Sequence, residues 1–173
     1  MSLVKKRAPV FELEGVDNGE FVTVDLEELH GQWVVVFFYP LDFTFVCPTE
    51  IRGFNEHHEE LAKLGAQILS ISVDSKYAHL AWQKGDLGEI AYPMLSDITR
   101  QVSRRYGVLL EDRGVSLRGL FIIDPEGIMR YEVVHDEEIG RSVEETLRVL
   151  QALQTGHLCP VDWQPGEEDL GEA

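Results

Sequence analysis

The stretch that decides the fold is WVVVFFYPLDFTFVCPTE, residues 33–50. Its first part, 33–39, is apolar without a break and consists of β-branched and aromatic residues, which is typical of a strand buried on both faces. After Pro48 the pattern changes to apolar residues at helical spacing, from 51 to 62. The stretch therefore predicts a buried strand, a loop and an amphipathic helix over about 48–64.

The flanking sequence extends this unit in both directions. A second apolar strand at 67–73 predicts a parallel β-α-β unit, and 8–26 predicts a hairpin with its turn at 17–19. The elements predicted downstream are a helix over 75–84, a short strand at 93–95, a helix that includes Ile98, Val102 and Tyr106, an antiparallel strand pair at 120–124 and 129–134, and a last helix that begins at Ser142. This order predicts an α/β fold.

Length, composition and charge limit the classes of function. A chain of 173 residues with 44% hydrophobic and 27% charged residues is expected to form one soluble globular domain. No apolar run reaches the roughly 20 residues that a membrane-spanning helix needs, and no apolar segment follows the basic residues 5–7, so we expect a cytoplasmic protein. A net charge of −16 argues against binding to nucleic acid or to an anionic membrane.

The two cysteines, Cys47 and Cys159, lie far apart and form no C-x-x-C motif, which disfavours a zinc ribbon or a thioredoxin-type dithiol. Cys47 is predicted at the start of a helix, where the helix dipole and free backbone N–H groups favour an anion. The thiolate is the nucleophilic form of cysteine. For a lone cysteine at such a point, a small buried apolar residue is the more common interpretation.

The residues around Cys47 favour the catalytic interpretation. Pro40, Thr44 and Cys47 have the spacing P-x-x-x-T-x-x-C, which resembles the active-site loop of the peroxiredoxins. From Ala8 to about Gly166, the chain resembles the typical two-cysteine, alkyl-hydroperoxide-reductase-like branch. The resemblance implies a thioredoxin-like fold with an N-terminal β-hairpin and an inserted helix. We expect this single domain at 1–155, followed at 156–173 by a C-terminal arm whose acidic end frays after Gly166.

The resemblance also implies roles for individual residues. Cys47 would attack the peroxide, Thr44 would hydrogen-bond to the peroxide and Pro40 would shield the thiolate from water. Arg118 matches the basic position of the family that lies beside the thiolate and the substrate oxygens, a role that suits a permanently charged guanidinium. Glu50 is expected to orient that arginine, although an acid in the first turn of a helix is favourable in any case.

Cys159 lies in the segment HLCPVDWQPG, residues 157–166, which resembles the resolving-cysteine segment of the same family, with Leu158 in place of the usual valine. The resemblance implies that Cys159 forms an intersubunit disulfide with Cys47 of a second copy. It further implies a homodimer and, as in many members of the family, a ring of five dimers.

These features predict a peroxidase that reduces hydrogen peroxide and organic hydroperoxides without a metal, haem or flavin of its own. The reductant would be a thioredoxin-like protein or a flavoprotein disulfide reductase. Two alternatives stay open: a one-cysteine peroxidase in which Cys159 is idle, and a redox-regulated scaffold or holdase. The loop at 85–88, GDLG, only partly matches the G-G-L-G of peroxide-sensitive members of the family. The ending at 169–173 carries no Tyr-Phe pair such as those members have. We therefore expect Cys47 to resist overoxidation.

Overall fold

The computed structural model describes residues 2–172, which form two compact units that divide between Arg141 and Ser142. The elements of the first unit are β1 (Glu12–Asp17), β2 (Glu20–Asp25), a 3₁₀ turn (Leu26–Leu29), β3 (Trp33–Phe38), α1 (Cys47–Glu56), α2 (His58–Lys63), β4 (Ala66–Ser72), α3 (Lys76–Trp82), a wider helical turn (Gln83–Leu87), β5 (Met94–Ser96), α4 (Gln101–Arg105), β6 (Leu109–Leu110), β7 (Val115–Ser116), β8 (Arg118–Ile123) and β9 (Met129–His135). The second unit contains α5 (Val143–Thr155).

In the described part of the chain, the main sheet has seven strands in the order β2-β1-β5-β4-β3-β8-β9. The strand β3 pairs parallel with β4 and antiparallel with β8, so it lies inside the sheet. The predicted β-α-β unit and α/β class are confirmed. The predicted N-terminal hairpin is confirmed as well, because Asn18 and Gly19 both have the positive φ that a tight hairpin turn of this kind requires.

Successive residues of β3 point to opposite faces of the sheet and enter two different parts of the core. Phe37 stacks on Phe54 of α1 with their ring centroids 4.6 Å apart, so one face of the sheet holds the helix that begins at Cys47. On the other face, Phe38 contacts Tyr106 and Phe121 in a cluster of aromatic and aliphatic side chains. The strand therefore anchors the loop that follows it from both faces of the sheet.

The single helix predicted over 48–64 is wrong in one respect, because it breaks at His57 into α1 and α2. In a continuous helix the carbonyl of Gly53 would accept from the backbone N–H of His57. Here the His57 ring nitrogen Nδ1 lies 2.9 Å from that carbonyl, and the backbone N–H bonds to Asn55 instead. The side chain thus competes with the backbone for one acceptor and ends the helix.

Two other details differ from the prediction. The helix expected to include Ile98 begins only at Gln101, and Ile98 is 58% exposed rather than buried. The reason is the turn before α4, where Asp97 accepts from the backbone N–H groups of Val102 and Ser103 and so caps the helix. No helix in residues 2–172 is long and apolar enough to cross a membrane.

In the second unit, the Ser142 hydroxyl accepts from the backbone N–H of Glu145 and Gly156 takes a left-handed conformation, so α5 begins and ends as predicted. The tail expected to fray after Gly166 instead folds back on the segment around Leu158. The N–H of Leu158 donates to the Gly171 carbonyl at 2.9 Å, and Asp169 forms an ion pair with His157. Local pairing of backbone groups therefore orders this acidic tail.

Candidate active site

Cys47 is the first residue of α1, and its side chain is fully buried. The backbone donors expected from the helix start are largely engaged: Pro48 has no N–H, and those of Thr49 and Glu50 both donate to the Val46 carbonyl. A side-chain donor reaches the sulfur instead. The helix start therefore positions the thiol, while the hydrogen bond to it comes from another element.

That donor is Arg118, the first residue of β8 and 3% exposed. Its Nη1 donates to the Cys47 sulfur at 3.4 Å and to Glu50 Oε2 at 2.7 Å. Its Nε donates to the backbone carbonyl of Glu137 at 2.6 Å, and the Glu137 carboxylate pairs with Arg113. The guanidinium is thus held from both sides with one nitrogen against the sulfur.

Arg141 is a second buried arginine in this site, and no motif or spacing pointed to it. Its backbone N and its Nε donate to Glu50 Oε1 at 2.7 and 2.8 Å, and its Nη2 donates to Oε2 at 2.8 Å. Its Nη1 donates to the carbonyl of Phe38, where β3 ends, and to the carbonyl of Gly119, at the start of β8. It joins the loop after β9 to the same carboxylate that holds Arg118.

The electrostatics of the site centre on Glu50, which is 4% exposed. Burial by itself would raise the pKa of Glu50, but the hydrogen bonds and charge of Arg141 together with the charge of Arg118 hold that pKa below its usual value. Glu50 is therefore ionised at neutral pH. Two buried guanidinium groups then face one carboxylate, and a thiolate at Cys47 would bring the four charges to balance.

Two more predicted residues lie in the loop before Cys47. Pro40 is buried, directly after the strand β3 and Tyr39. Thr44 is half-buried, and its hydroxyl donates to the Leu41 carbonyl at 2.9 Å. The hydrogen of this hydroxyl is already used, so its lone pairs are what it can offer to a substrate O–H.

Cys159 belongs to the second unit and is half-buried. Its sulfur lies 3.6 Å from the Thr155 hydroxyl oxygen, 3.7 Å from the Ala152 carbonyl and 3.9 Å from the His157 carbonyl. The Thr155 hydroxyl donates to the Ala152 carbonyl, which leaves its oxygen as an acceptor. Both cysteines are free thiols.

Among residues 2–172, no group of three or more His, Cys, Asp or Glu side chains could hold a metal ion. Every buried side-chain nitrogen or oxygen in that part of the chain has a hydrogen-bond partner. The charged and reactive groups that the structure brings together in this site are the thiol, two guanidinium groups and a carboxylate.

The fold and the buried thiol define a thiol enzyme built on a thioredoxin-like sheet, and comparison with known proteins gives the family. The sequence model of the AhpC/TSA family matches residues 4–132 of this chain. A putative peroxiredoxin in the rubredoxin operon of Clostridium pasteurianum is 54% identical over 175 residues, which cover 97% of this chain and 98% of that protein. A chloroplastic 2-Cys peroxiredoxin of Spinacia oleracea is 49% identical over 98% of this chain and 68% of its own length.

Among solved structures, the reduced 2-Cys peroxiredoxin of Plasmodium vivax superposes with a TM-score of 0.95 at 41% identity, over 98% of this chain and 93% of that one. The chain belongs to the AhpC/TSA family, since the match covers well over half of its length. Like its peroxiredoxin relatives it is a thiol-dependent peroxidase with a thioredoxin-like fold, and both predictions are thereby confirmed.

Proposed function

We propose that this peroxidase reduces hydrogen peroxide and organic hydroperoxides through a sulfenic acid on Cys47. The observation that carries the proposal is the contact between the Arg118 guanidinium and the fully buried Cys47 sulfur. A cation at this distance favours the thiolate, and the charge balance with Arg141 and Glu50 favours it further. The thiolate is the form that can attack an O–O bond.

In the first step the Cys47 thiolate attacks one peroxide oxygen, forming an S–O bond as the O–O bond breaks. Cysteine sulfur is oxidised to the sulfenic acid, and the departing oxygen takes a proton and leaves as water or an alcohol. Negative charge moves from sulfur to the departing oxygen during this step. The Arg118 guanidinium can stabilise that charge because it carries further N–H donors and a charge that it does not lose.

The remaining residues would hold the substrate and the arginine. Thr44 has lone pairs free to accept from the peroxide O–H, since its own hydrogen is bonded to Leu41. Pro40, buried at the start of the loop, would keep water from the thiolate. Glu50 would position Arg118, because it accepts from the same nitrogen that contacts the sulfur.

We further propose that Cys159 of a second copy resolves the sulfenic acid. Its thiol would attack the Cys47 sulfur, so that a disulfide forms and water leaves. An external dithiol protein, either thioredoxin-like or a flavoprotein disulfide reductase, would then reduce the disulfide. The C-terminal arm at 156–173, which carries Cys159, would supply this second sulfur to the partner subunit.

The pairing of two copies requires a homodimer, and we propose that five such dimers form a ring. Two features support association. The strand β9 is an edge of the sheet, where a second copy could add its own strand. Large aromatic side chains are also exposed in the active loop, at Phe43 and Phe45.

We also propose that the protein acts in the cytoplasm, without nucleic-acid or membrane partners. A reducing compartment would keep Cys47 and Cys159 available as thiols between turnovers. The net charge of −16 would repel phosphate backbones and anionic lipid surfaces alike.

The test is peroxide treatment followed by a non-reducing denaturing gel and intact-mass measurement. The wild type should shift to a dimer that dithiothreitol reverses, and neither Cys47→Ser nor Cys159→Ser should form that dimer. A dimer that persists in both single variants would contradict the disulfide. A wild type that gains one oxygen but never a disulfide would indicate a one-cysteine peroxidase in which Cys159 is idle.

Peroxide consumption with each candidate reductant added in turn would identify the reductant. The peroxide that gives the highest rate would be the preferred one. A scaffold or holdase that uses Cys47 only as a switch would show no sustained turnover with any reductant. Sedimentation of the reduced and the oxidised protein would measure the size of the ring.

A further inference from the structure

A second buried polar network consists of Tyr39, Asp42 and His79, and it shares no residue with the network of Arg118, Glu50 and Arg141. Tyr39 and His79 are fully buried and Asp42 is 6% exposed. The Tyr39 hydroxyl donates to Asp42 Oδ1 at 2.7 Å, and Asp42 Oδ2 lies 2.7 Å from His79 Nδ1. No step of the proposed reaction uses any of these three groups.

The partners of His79 determine how many protons the network holds. Nε2 lies 3.1 Å from the backbone carbonyl of Leu95, which can only accept, so Nε2 carries a hydrogen. Nδ1 faces the Asp42 carboxyl group, so one further proton lies between these two groups. Every polar side-chain atom of this pair therefore has a hydrogen-bond partner.

The network braces the part of the loop that carries Pro40 and leads to Thr44. The hydrogen bond from Tyr39 to Asp42 spans Pro40 and Leu41 and closes the start of the loop on itself. The backbone N–H of Asp42 donates to Asp74 Oδ2 at 2.9 Å, which ties the loop to the end of β4.

His79 then links the same loop to α3 and β5. It is a residue of α3, and it contacts both Asp42 and the carbonyl of Leu95 in β5. Phe43, which follows Asp42 in the loop, has a φ of 57°. This value lies in the left-handed region that is unfavourable for residues other than glycine. A backbone in this region persists only where its surroundings hold it there.

We propose that Asp42, held by Tyr39 and His79, is a positioning residue that fixes Pro40 and Thr44 relative to the Cys47 sulfur. The inference rests on the proposed role of Cys47, and it deepens that role by adding residues that never touch the peroxide. A displacement of reacting groups by about 1 Å can slow an enzyme on the order of a hundredfold. A brace of this kind therefore affects the rate of the peroxide step.

Two groups beside Asp42 have raised pKa values. The pKa of Tyr39 is raised well above its usual value, first by burial and then by the charge of Asp42. The pKa of Asp74 is raised as well, again first by burial and then by Asp42. Ser72 donates to Asp74 at 2.7 Å and so helps to keep this second carboxyl group in place.

The test compares Asp42→Ala with Asp42→Asn in a single-turnover reaction of reduced protein with hydrogen peroxide. Asp42→Ala leaves Tyr39 and His79 without their shared partner, and we expect the peroxide step to slow by roughly tenfold to a hundredfold. In Asp42→Asn the amide oxygen can accept from Tyr39 and the amide nitrogen can donate to Nδ1 of a neutral His79. This variant should react within about threefold of the wild-type rate.

Asp97→Ala is the matched control, because Asp97 is also fully buried and holds several hydrogen bonds, in this case to Val102 and Ser103 of α4. It should lower the free energy of unfolding but leave the peroxide step unchanged. If Asp42→Ala does not fold, Tyr39→Phe replaces it, since it removes only the hydroxyl that donates to Asp42. Tyr39→Phe should slow the peroxide step severalfold.

The proposal is overturned if Asp42→Ala, or Tyr39→Phe in its place, reacts at the wild-type rate. It is also overturned if Asp97→Ala slows the peroxide step as much, because the effect would then be general loosening of the core. Equal loss in Asp42→Asn and Asp42→Ala would exclude hydrogen bonding as the cause. Cys47→Ser is measured alongside: a Cys47→Ser protein that still reacts would refute the role of Cys47 itself, independently of Asp42.

Discussion

The two cysteines of this chain have opposite surroundings. The Cys47 sulfur is fully buried and receives a hydrogen bond from the Arg118 guanidinium. The Cys159 sulfur is half-buried and lies near three oxygens, those of Thr155, Ala152 and His157. A cationic donor stabilises a thiolate, whereas carbonyl and hydroxyl oxygens that accept stabilise the protonated S–H group.

In the proposed mechanism, this difference suits the two cysteines to two separate steps of one reaction. A sulfur that attacks peroxide needs to be ionised before the substrate arrives, and the charges around Cys47 favour that state. A sulfur that only resolves the product is better kept as a thiol until a sulfenic acid appears. The following predictions test this contrast, beginning with the largest expected effect.

The first prediction concerns the separate roles proposed for Cys47 and Cys159. Cys47→Ser should abolish the reaction with peroxide, because a serine hydroxyl is not ionised at neutral pH and is a far weaker nucleophile. Cys159→Ser should retain the first turnover at close to the wild-type rate. Rapid-mixing measurement of the first peroxide equivalent consumed distinguishes the two variants. Comparable first-turnover rates in both would refute the assigned roles.

The second prediction removes the cation. Arg118→Ala should slow the peroxide step by roughly a hundredfold or more, corresponding to about 3 kcal/mol of lost transition-state stabilisation. Alkylation of Cys47 by iodoacetamide at neutral pH should slow as well, because the thiolate loses its hydrogen bond. Alkylation of Cys159, quantified on its own peptide by mass spectrometry, should not change.

The control for this arginine is Arg104→Ala, which removes an exposed arginine paired with Glu111. This variant should react at the wild-type rate, since exposed ion pairs contribute little. Should Arg118→Ala also react normally, the guanidinium that serves the thiolate would have to be another one, and Arg141 is the buried candidate.

The third prediction concerns the carboxylate that orients the cation. Glu50→Gln should slow the peroxide step by roughly tenfold, because the hydrogen bond that Arg118 donates to Glu50 loses its charged acceptor. The substitution also changes the dependence of stability on pH. The folded-state pKa of Glu50 lies below its ordinary value of 4.5, so its contribution to stability is complete above that pH and disappears as the pH falls through the lowered pKa.

Unfolding by urea at a series of acidic pH values measures this effect. The free energy of unfolding of Glu50→Gln should change less between pH 5 and pH 3 than that of the wild type. Glu111→Gln, the same substitution at an exposed ion pair, serves as the comparison. If the acid limb of the wild-type curve and that of Glu50→Gln coincide, Glu50 is not the group that titrates.

The smallest effect is expected at the second cysteine. In a Cys47→Ser background, Thr155→Val removes one oxygen that accepts from the Cys159 thiol, and alkylation at neutral pH should rise by about twofold. Thr155→Ser restores the hydroxyl and should restore the lower rate. A fall in alkylation with Thr155→Val would mean that the hydroxyl donates to the sulfur, which would remove the contrast between the two sites.

The sequence predicted more of the active site than of the network around it. The trio of Cys47, Arg118 and Glu50 followed from motif resemblance, and the structure brings these side chains into hydrogen-bond contact. Arg141 was missed, because it lies in the loop after β9 without any distinctive spacing. Its role depends on where the ends of β3 and β8 lie, which local sequence does not specify.

The break at His57 and the ordered tail were missed for a related reason. Both depend on a side chain or a backbone group finding a partner that competes with the pattern expected locally. The His57 ring takes the Gly53 carbonyl, and the tail finds backbone partners at Leu158. Periodicity identifies which residues favour a helix or a loop, but it carries no information about such competition.

By itself, the sequence determined the strand, loop and helix around Cys47, because apolar periodicity and capping residues act over only a few positions. The resemblance of its motifs to a known family also predicted roles for Cys47, Cys159, Arg118 and Thr44, and these roles stay predictions. Only the tertiary structure shows that Arg141 and Arg118 share the Glu50 carboxylate, and that Asp42 lies within hydrogen-bond distance of His79. These groups are separated by many residues in the chain, and it is the packing of the sheet and helices that brings them within hydrogen-bond distance.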